Sequence, residues 1–453
     1  MLRVIGFSQT TSGMRDSLFH LSLSGKCIPI FSSDASDEFL LKKNSRKFIP
    51  LVDLAGVYSE KTSFKSHLGG RFQWQGESLS LSMGALGGIT NNQGALVPHW
   101  FEKPIINEVK ASIMPALRLA YKPNPYVSAQ LGFDRTFYGD GYRSLFLSDI
   151  GKPYPYASIR FKVGPISYQN MAAYLFAPTY LHKYQINHFL HWKITQNLQL
   201  NFFESVLFNS GDSTTNRTFD PYYLNPFVFI RPQEYANGSS DNVLMGIGAS
   251  LSLRKAKLYS QLVVDDFLIA SLSSGGNYWG NKWGVQLGWK HATSKNHWKI
   301  MSRIEGNLVR PYTYAHIGSS LNYTNDNMVL SHPLGGNFWE LYESHMFIKG
   351  SLSFLVELSA GQKGYDLDTV SFGGDVFVPY TNRPSDYGVT LLQGNKTTFI
   401  SSRVKLGLVG NKNNSIEGFL ELNLRYSRTI DNSFFQLFPL LGIRSRVFND
   451  YRF

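Results

Sequence analysis

Residues Ser415 to Ser427 read SIEGFLELNLRYS. Ile416, Leu420, Leu422 and Leu424 fall on one parity, and Glu417, Glu421, Asn423 and Arg425 on the other. Side chains two residues apart share a face of a strand, so as a strand this stretch has one greasy face and one charged face. A water-soluble sandwich turns the greasy face inward. A membrane barrel turns it to lipid and points the charges at a wet interior.

The same alternation recurs along the chain. Val109, Ala111, Ile113, Leu117, Leu119 and Tyr121 alternate with Lys110, Ser112, Arg118 and Lys122; Trp283, Val285, Leu287 and Trp289 alternate with Gly284, Gln286, Gly288 and Lys290. Val243 to Leu253 and Trp298 to Ile304 repeat it, and Met346 to Leu358 is predicted as one strand near the length that crosses a bilayer. Turn signals separate these runs: NNQG at Asn91, SSGGN at Ser273 and GNKNNS at Gly410. The chain ends on LLGIRSRVFNDYRF, with Leu441, Ile443, Val447, Tyr451 and Phe453 opposite Arg444, Arg446, Asp450 and Arg452. Nearly every run carries charges on its second face, and no helical pattern of comparable length supplies a covering layer. Lipid is therefore the expected neighbour of the leucines.

Composition agrees with an all-β chain whose apolar residues are diluted by inward-facing polar ones. Aromatics make up 15% of the 453 residues, charged residues only 17%, and mean hydropathy is -0.17. No run of about 18 apolar residues occurs, which excludes a bundle of membrane-spanning helices. The net charge of +12 raises anionic partners such as lipid phosphates, lipopolysaccharide or an acidic surface polysaccharide. The basic residues are scattered singly, which argues against nucleic acid. Lys42, Lys43, Arg46 and Lys47 form the one compact cluster, read as a solvated arm.

The lone Cys27 forms no internal disulfide framework, and Lys26 before it spoils a lipoprotein box. Residues 1–47 read as an N-terminal arm or a truncated periplasmic segment with no evident signal peptide, and residues 48–453 as a single barrel domain.

Three segments break the alternation and concentrate polar residues: 132–149, 222–246 and 309–340. Within them FYGDGYRSLFLSD, NPFVFIRPQEYANGSSDNVLMG, RPYTYAHIG and LSHPLGGNFWE occur in an order that resembles the capsule-assembly Wzi family of outer-membrane barrels. The likeness is strongest to the family's branch in gliding bacteria, the RemB proteins. The resemblance implies one antiparallel transmembrane β-barrel of roughly eighteen strands in the bacterial outer membrane, its lumen filled or narrowed by loops. It implies binding or retention of surface or capsular polysaccharide, or support of gliding and adhesion. A subunit of an envelope secretion or motility complex, with envelope proteins as partners, and a porin-like channel are the alternatives.

The candidate ligand or lumen network is Asp140, Tyr142, Arg143, Arg231, Glu234, Asp241, Asn242, Arg310, Tyr312, Tyr314, His332 and Glu340. The arginines offer planar donor forks and the acids offer acceptors, so they either tie inward loops into a plug or hold a ligand. Tyr142, Tyr312 and Tyr314 suit stacking on sugar rings. His332, before Pro333, is read chiefly as shaping a turn.

No catalytic residue, metal or cofactor is expected. Enzymatic membrane barrels set a nucleophile, base and orienter on the lipid-facing wall, but this chain has no GxSxG, no HExxH, and no sequence-local partner for His188, His191 or His316. GDGYRS lacks the spacing of a phosphate loop. Asp366 and Asp368 are read as solvated loop carboxylates in preference to Ca²⁺ ligands.

Overall fold

The computed structural model describes residues 44–445 except 58–62, 92–100, 107, 178–181, 211–218, 226–240, 267–276, 368–369 and 410–415. The strands follow one another as β1 (Ser45–Val57), β2 (Ser63–Gln75), β3 (Leu79–Thr90), β4 (Phe101–Ile106), β5 (Val109–Tyr121), β6 (Val127–Asp134) and β7 (Tyr154–Val163). Next come β8 (Ile166–Leu175), β9 (His182–Lys193), β10 (Leu198–Ser210), β11 (Asn242–Ser252), β12 (Ala256–Asp266), β13 (Lys282–Lys295) and β14 (Trp298–Val309). After the two-residue strands β15 (Thr324–Asn325) and β16 (Met328–Val329) the wall resumes with β17 (Phe338–Lys349), β18 (Leu352–Tyr365), β19 (Asn395–Val409), β20 (Ile416–Arg428) and β21 (Ser433–Ser445).

Eighteen of these strands form a closed antiparallel ring. Sequential neighbours pair throughout, β3 pairs directly with β5, β14 with β17, and β21 returns to β1 from Asp53↔Arg444 to Val57↔Leu440. The short β4 pairs with the end of β5 that β6 leaves unpaired. Connections at one end of the ring are short, among them 76–78, 164–165, 253–255, 296–297 and 350–351, while the other end carries the long connections 135–153, 310–337 and 366–394. This asymmetry is that of outer-membrane barrels. A strand of 13 residues spans about 33 Å along the barrel axis at a tilt near 40°, enough to cross the apolar band of about 25 Å.

The alternation sorts as the sequence predicts. On β20, Glu417, Phe419, Glu421 and Asn423 are buried, whereas Leu420 and Leu422 are 54% and 45% exposed. On β21 Leu441 and Ile443 point out, and Arg444 points in. One expectation fails. Met346 to Leu358 is two strands, because Gly350 at φ 58 turns the chain back and Lys349 pairs with Leu352. The two-residue turn switches parity, so Met346 and Ile348 face inward against Ala292 and Met301 while Phe354, Val356 and Leu358 face outward.

The lumen is not uniformly wet. Residues 137–150 enter it as a finger in which Leu145, Phe146 and Leu147 are completely buried against wall residues including Phe189, Phe203, Leu244, Val263 and Phe338. Residues 310–337, carrying the β15–β16 hairpin, lie beside it, and Tyr314 and Tyr323 join the same apolar cluster. The sector bounded by β7–β14, β17 and β18 thus holds a packed core.

A second surprise lies outside. Tyr223, in the short helical turn Pro221–Leu224, is buried among Ile186, Val206, Phe208 and Val243, all on the outward parity of β9, β10 and β11. Asp220 caps the turn through Tyr222 N at 3.0 Å. This portion of the segment 222–246, expected among the inward ties, is therefore a strap on the outer wall. Beneath it, Asn170 donates to Leu224 O at 3.3 Å and His188 meets Tyr223 O at 3.0 Å. Polar groups on a lipid-facing wall are costly, and the strap gives these two partners.

Leu422 sits mid-strand on the outward face. Leu422→Arg is expected to cost about 2–4 kcal/mol of folding free energy in bilayers; an unchanged value in reversible unfolding from liposomes contradicts the placement.

Candidate functional site

The finger 137–150 is held by side chains from the wall. Tyr142 N donates to Glu305 at 2.7 Å, Leu145 N to Gln261 at 2.9 Å, and Gln286 donates to Arg143 O at 2.6 Å. Gly139 and Gly141 are needed for this approach: a Cβ would lie 1.9 Å from Gln261 Nε2 at the first and 2.1 Å from Gln286 Oε1 at the second, and Gly139 also has φ 122.

The charged residues meet at the finger's centre. Arg143 pairs with Glu340, whose carboxylate also accepts from Ser359 at 2.6 Å and meets His332 Nε2 at 3.0 Å. Asp140 pairs with Lys257, and Lys290 donates to the Asp140 carbonyl. Tyr142 stacks on Tyr342 with centroids 4.6 Å apart, Arg303 lies 5.0 Å from the Tyr142 centroid, and Arg143 lies 5.1 Å from that of Tyr342. Burial lowers the His332 pKa despite the neighbouring Glu340 carboxylate, and the same carboxylate holds Arg143 firmly charged. The cavity beside this knot, between Tyr142, Arg143 and Arg403, is only ≈ 20 Å³, room for about one water.

Five of the predicted residues, Asp140, Tyr142, Arg143, His332 and Glu340, therefore share one buried network. Tyr312 and Tyr314, both at positive φ, form a layer nearer the long-loop end. Tyr312 donates its hydroxyl to Ser371 O at 2.8 Å and Tyr314 to Leu145 O at 2.9 Å, while Tyr314 N reaches Asp265 at 2.7 Å. Arg310 donates to Val389 O at 3.2 Å. Asp241 and Asn242 serve opposite faces of the wall: Asp241 accepts from Tyr223 in the outer strap at 2.6 Å, and Asn242 donates to Leu321 O inside at 2.8 Å. Arg231 and Glu234 lie outside the described residues.

Other residues of consequence lie outside the candidate network, among them Trp279, whose place near a strand end suggests an aromatic residue at the headgroup level. At the long-loop end, Trp279 packs on Tyr380 at 4.5 Å between centroids, and the Arg383 guanidinium lies 4.0 Å from the Trp279 centroid. Tyr278 packs on Tyr387, which is 54% exposed, and Arg383 pairs with Asp386 at 2.6 Å. These rings come from two connections about a hundred residues apart, so only the folded ring of strands brings them together. Asp366 is a loop organiser and not a solvated carboxylate, accepting from Phe372 N at 2.7 Å and Gly374 N at 3.0 Å; Asp368 lies outside the described residues. Among the described residues no group of three or more His, Cys, Asp or Glu is placed to hold a metal ion.

His345 meets one neighbour on its own strand face and one across the ladder that no local sequence pattern announces. On the outer wall its Nδ1 lies 3.0 Å from Ser302 Oγ and its Nε2 2.6 Å from Glu343. Ser302 sits opposite His291 on β13 and His345 on β17, with its backbone in the middle of both ladders. It is four residues from the short-turn end at Trp298, about 10 Å along the axis. The ladders on both sides of Ser302 engage the neighbouring backbone amides and leave no amide pair beside it for an oxyanion.

The fold and its interior define a class: a closed eighteen-stranded antiparallel barrel of the outer-membrane kind with loops packed into its lumen. No family model matches the chain, and no curated protein matches it. Among solved structures it is similar to Wzi, an outer-membrane protein involved in group 1 capsule assembly in Escherichia coli and described as a carbohydrate-binding β-barrel. That likeness has a TM-score of 0.59 at 15% identity over 98% of this chain and 95% of the other, and it is a likeness of fold. The Pseudomonas aeruginosa proteins OprD and OpdL match more loosely, with TM-scores of 0.45 and 0.46 at 8% identity, each covering 88% of this chain and 95% and 97% of theirs.

Glu340→Ala leaves the Arg143 charge buried without its carboxylate and is expected to cost about 3–5 kcal/mol. The double change Arg143→Met with Glu340→Leu is expected to cost less than Glu340→Ala alone, as read from denaturant unfolding of the refolded barrel. Burial, aided by the Lys282 charge, pushes the His316 imidazole down from 6.5 to about 4. The unfolded segment takes up the proton first, so this contribution to stability is complete above pH 6.5 and is lost as pH falls to about 4. Amide exchange across 312–323, corrected for intrinsic rates, should accelerate over that interval, with a weaker pH dependence in His316→Phe.

Proposed function

We propose that this protein is a plugged outer-membrane barrel that retains surface polysaccharide at its long-loop mouth, and that it is not an enzyme. The observation that carries the reading is the platform of Tyr278, Trp279, Tyr380 and Tyr387 with Arg383 beside it. Sugar rings present apolar C–H faces that stack on aromatic rings, and a guanidinium held among them suits an acidic glycan. The net charge of +12 favours the same ligands. The carbohydrate-binding description of Wzi adds support through the shared fold.

The dry core around Phe146 and the Arg143–Glu340 knot oppose an open porin. The ladders that engage the amides beside Ser302 oppose ester hydrolysis by the outer wall. On this reading the predicted network Asp140, Tyr142, Arg143, His332 and Glu340 holds the plug, and the mouth binds ligand. The long loops face the cell exterior. A role at the surface of a gliding cell rests on the motif segments alone, and stable co-purification with envelope motility proteins would favour it over retention of glycan.

The test is retention of a purified acidic capsular polysaccharide on immobilised barrel. Trp279→Ala and Arg383→Ala are each expected to weaken retention about two- to tenfold, from the loss of roughly 0.5–1.5 kcal/mol of stacking or cation–π contact, with the barrel still folded. Reconstituted wild-type protein should be electrically silent in planar bilayers. Failure to retain any acidic or neutral glycan removes the reading.

A further inference from the structure

The outer wall between β5 and β8 is not flat. Three outward-facing alanines fall on one diagonal: Ala129 on β6, then Ala157 on β7, which is directly paired with Ala172 on β8. Flanking positions on the same face hold bulky residues, including Leu131 opposite Ala157 and Ile159 opposite Ala129. The result is a trough of ≈ 640 Å³, within the range of about 300–1,000 Å³ typical of small-molecule sites. At mid-wall it stops against Leu224 of the outer strap, which Asn170 pins by its carbonyl. At its other end, past Tyr121 and Phe161, it opens to the short-turn rim.

We infer that this trough holds one acyl chain of a glycerophospholipid from the leaflet at the short-turn end. The lining is almost wholly apolar, and it faces hydrocarbon over the depth of one leaflet. A strap fixed across its upper end sets a limit on chain entry. The rim where the head would lie presents Tyr121, 51% exposed on the outward face, beside the exposed turn residues 123–126, an edge that suits the ester and glycerol level of a phospholipid. A second barrel cannot occupy the site, because a convex wall does not enter a trough closed by the strap.

The full-length barrel purified in mild detergent is expected to carry about one glycerophospholipid per chain by native mass spectrometry. Ala157→Phe with Ala172→Phe fills the trough and is expected to lower that occupancy at least tenfold, whereas Leu287→Phe on a distant part of the wall leaves it unchanged. Should the filled variant fail to fold, wild-type protein in bilayers containing phosphatidylglycerol with a photoreactive acyl chain gives the same answer. Crosslinks are then expected on peptides holding Ala157 and Ala172 in excess over the peptide holding Leu287. Wild-type protein free of lipid, lipopolysaccharide in place of phospholipid, equal occupancy in the filled variant, or evenly spread crosslinks would each overturn the inference.

Discussion

A sheet edge in hydrocarbon has no water to meet its N–H and C=O groups, so a sheet that crosses a membrane must close on itself. Everything else in this chain depends on that closure, made among the described residues by five residue pairs between β1 and β21. Closure fixes which parity of every strand faces out. It also fixes what the interior must accommodate, because side chains two apart cannot choose their faces independently. Glu417, Glu421, Arg403 and Arg444 are inside for the same reason that Leu420, Leu406 and Leu441 are outside.

Charges forced into a lumen are tolerable only with partners. The chain answers in two ways around the ring. Near β18–β20 the wall neutralises itself, with Arg403 between Glu357 and Glu421 at 2.8 and 2.7 Å and Lys405 on Glu417 at 2.5 Å. Across β12–β18 the wall charges reach loop atoms: Lys257 takes Asp140, Lys282 donates to Ala315 O, Glu305 takes the Tyr142 amide, and Glu340 takes Arg143. Inward loops thus satisfy wall charges and bring aromatic residues that pack between them. The plug is a consequence of the wall's own electrostatics as much as of the loops' sequence.

Much of this was legible from the sequence. Period-two alternation identifies the strands and their lipid face at Leu420, Leu422, Leu441 and Ile443, since it needs only neighbours along the chain. The resemblance in FYGDGYRSLFLSD and LSHPLGGNFWE pointed to segments that do meet, through Arg143, His332 and Glu340. Where a turn falls inside an unbroken run of strand-like residues, as at Gly350, parity reads through it wrongly. Contacts set by ring register were invisible: Trp279 with Tyr380, Ser302 with His345, and the reversal of Tyr223 onto the outer wall. Nothing in YYLNPF tells inside from outside, because an aromatic residue is equally at home in a packed lumen and against lipid.

Hydrocarbon bathes the leucine face of the wall. The most direct test of this contact is a nitroxide scan of 416–428 in liposomes on a Cys27→Ser background, reading collision with oxygen against collision with a water-soluble nickel chelate. A period of two is expected, with oxygen access high at 420, 422 and 424 and low at 417, 421 and 423. Absence of that alternation, or nickel access at the leucine positions, would contradict it.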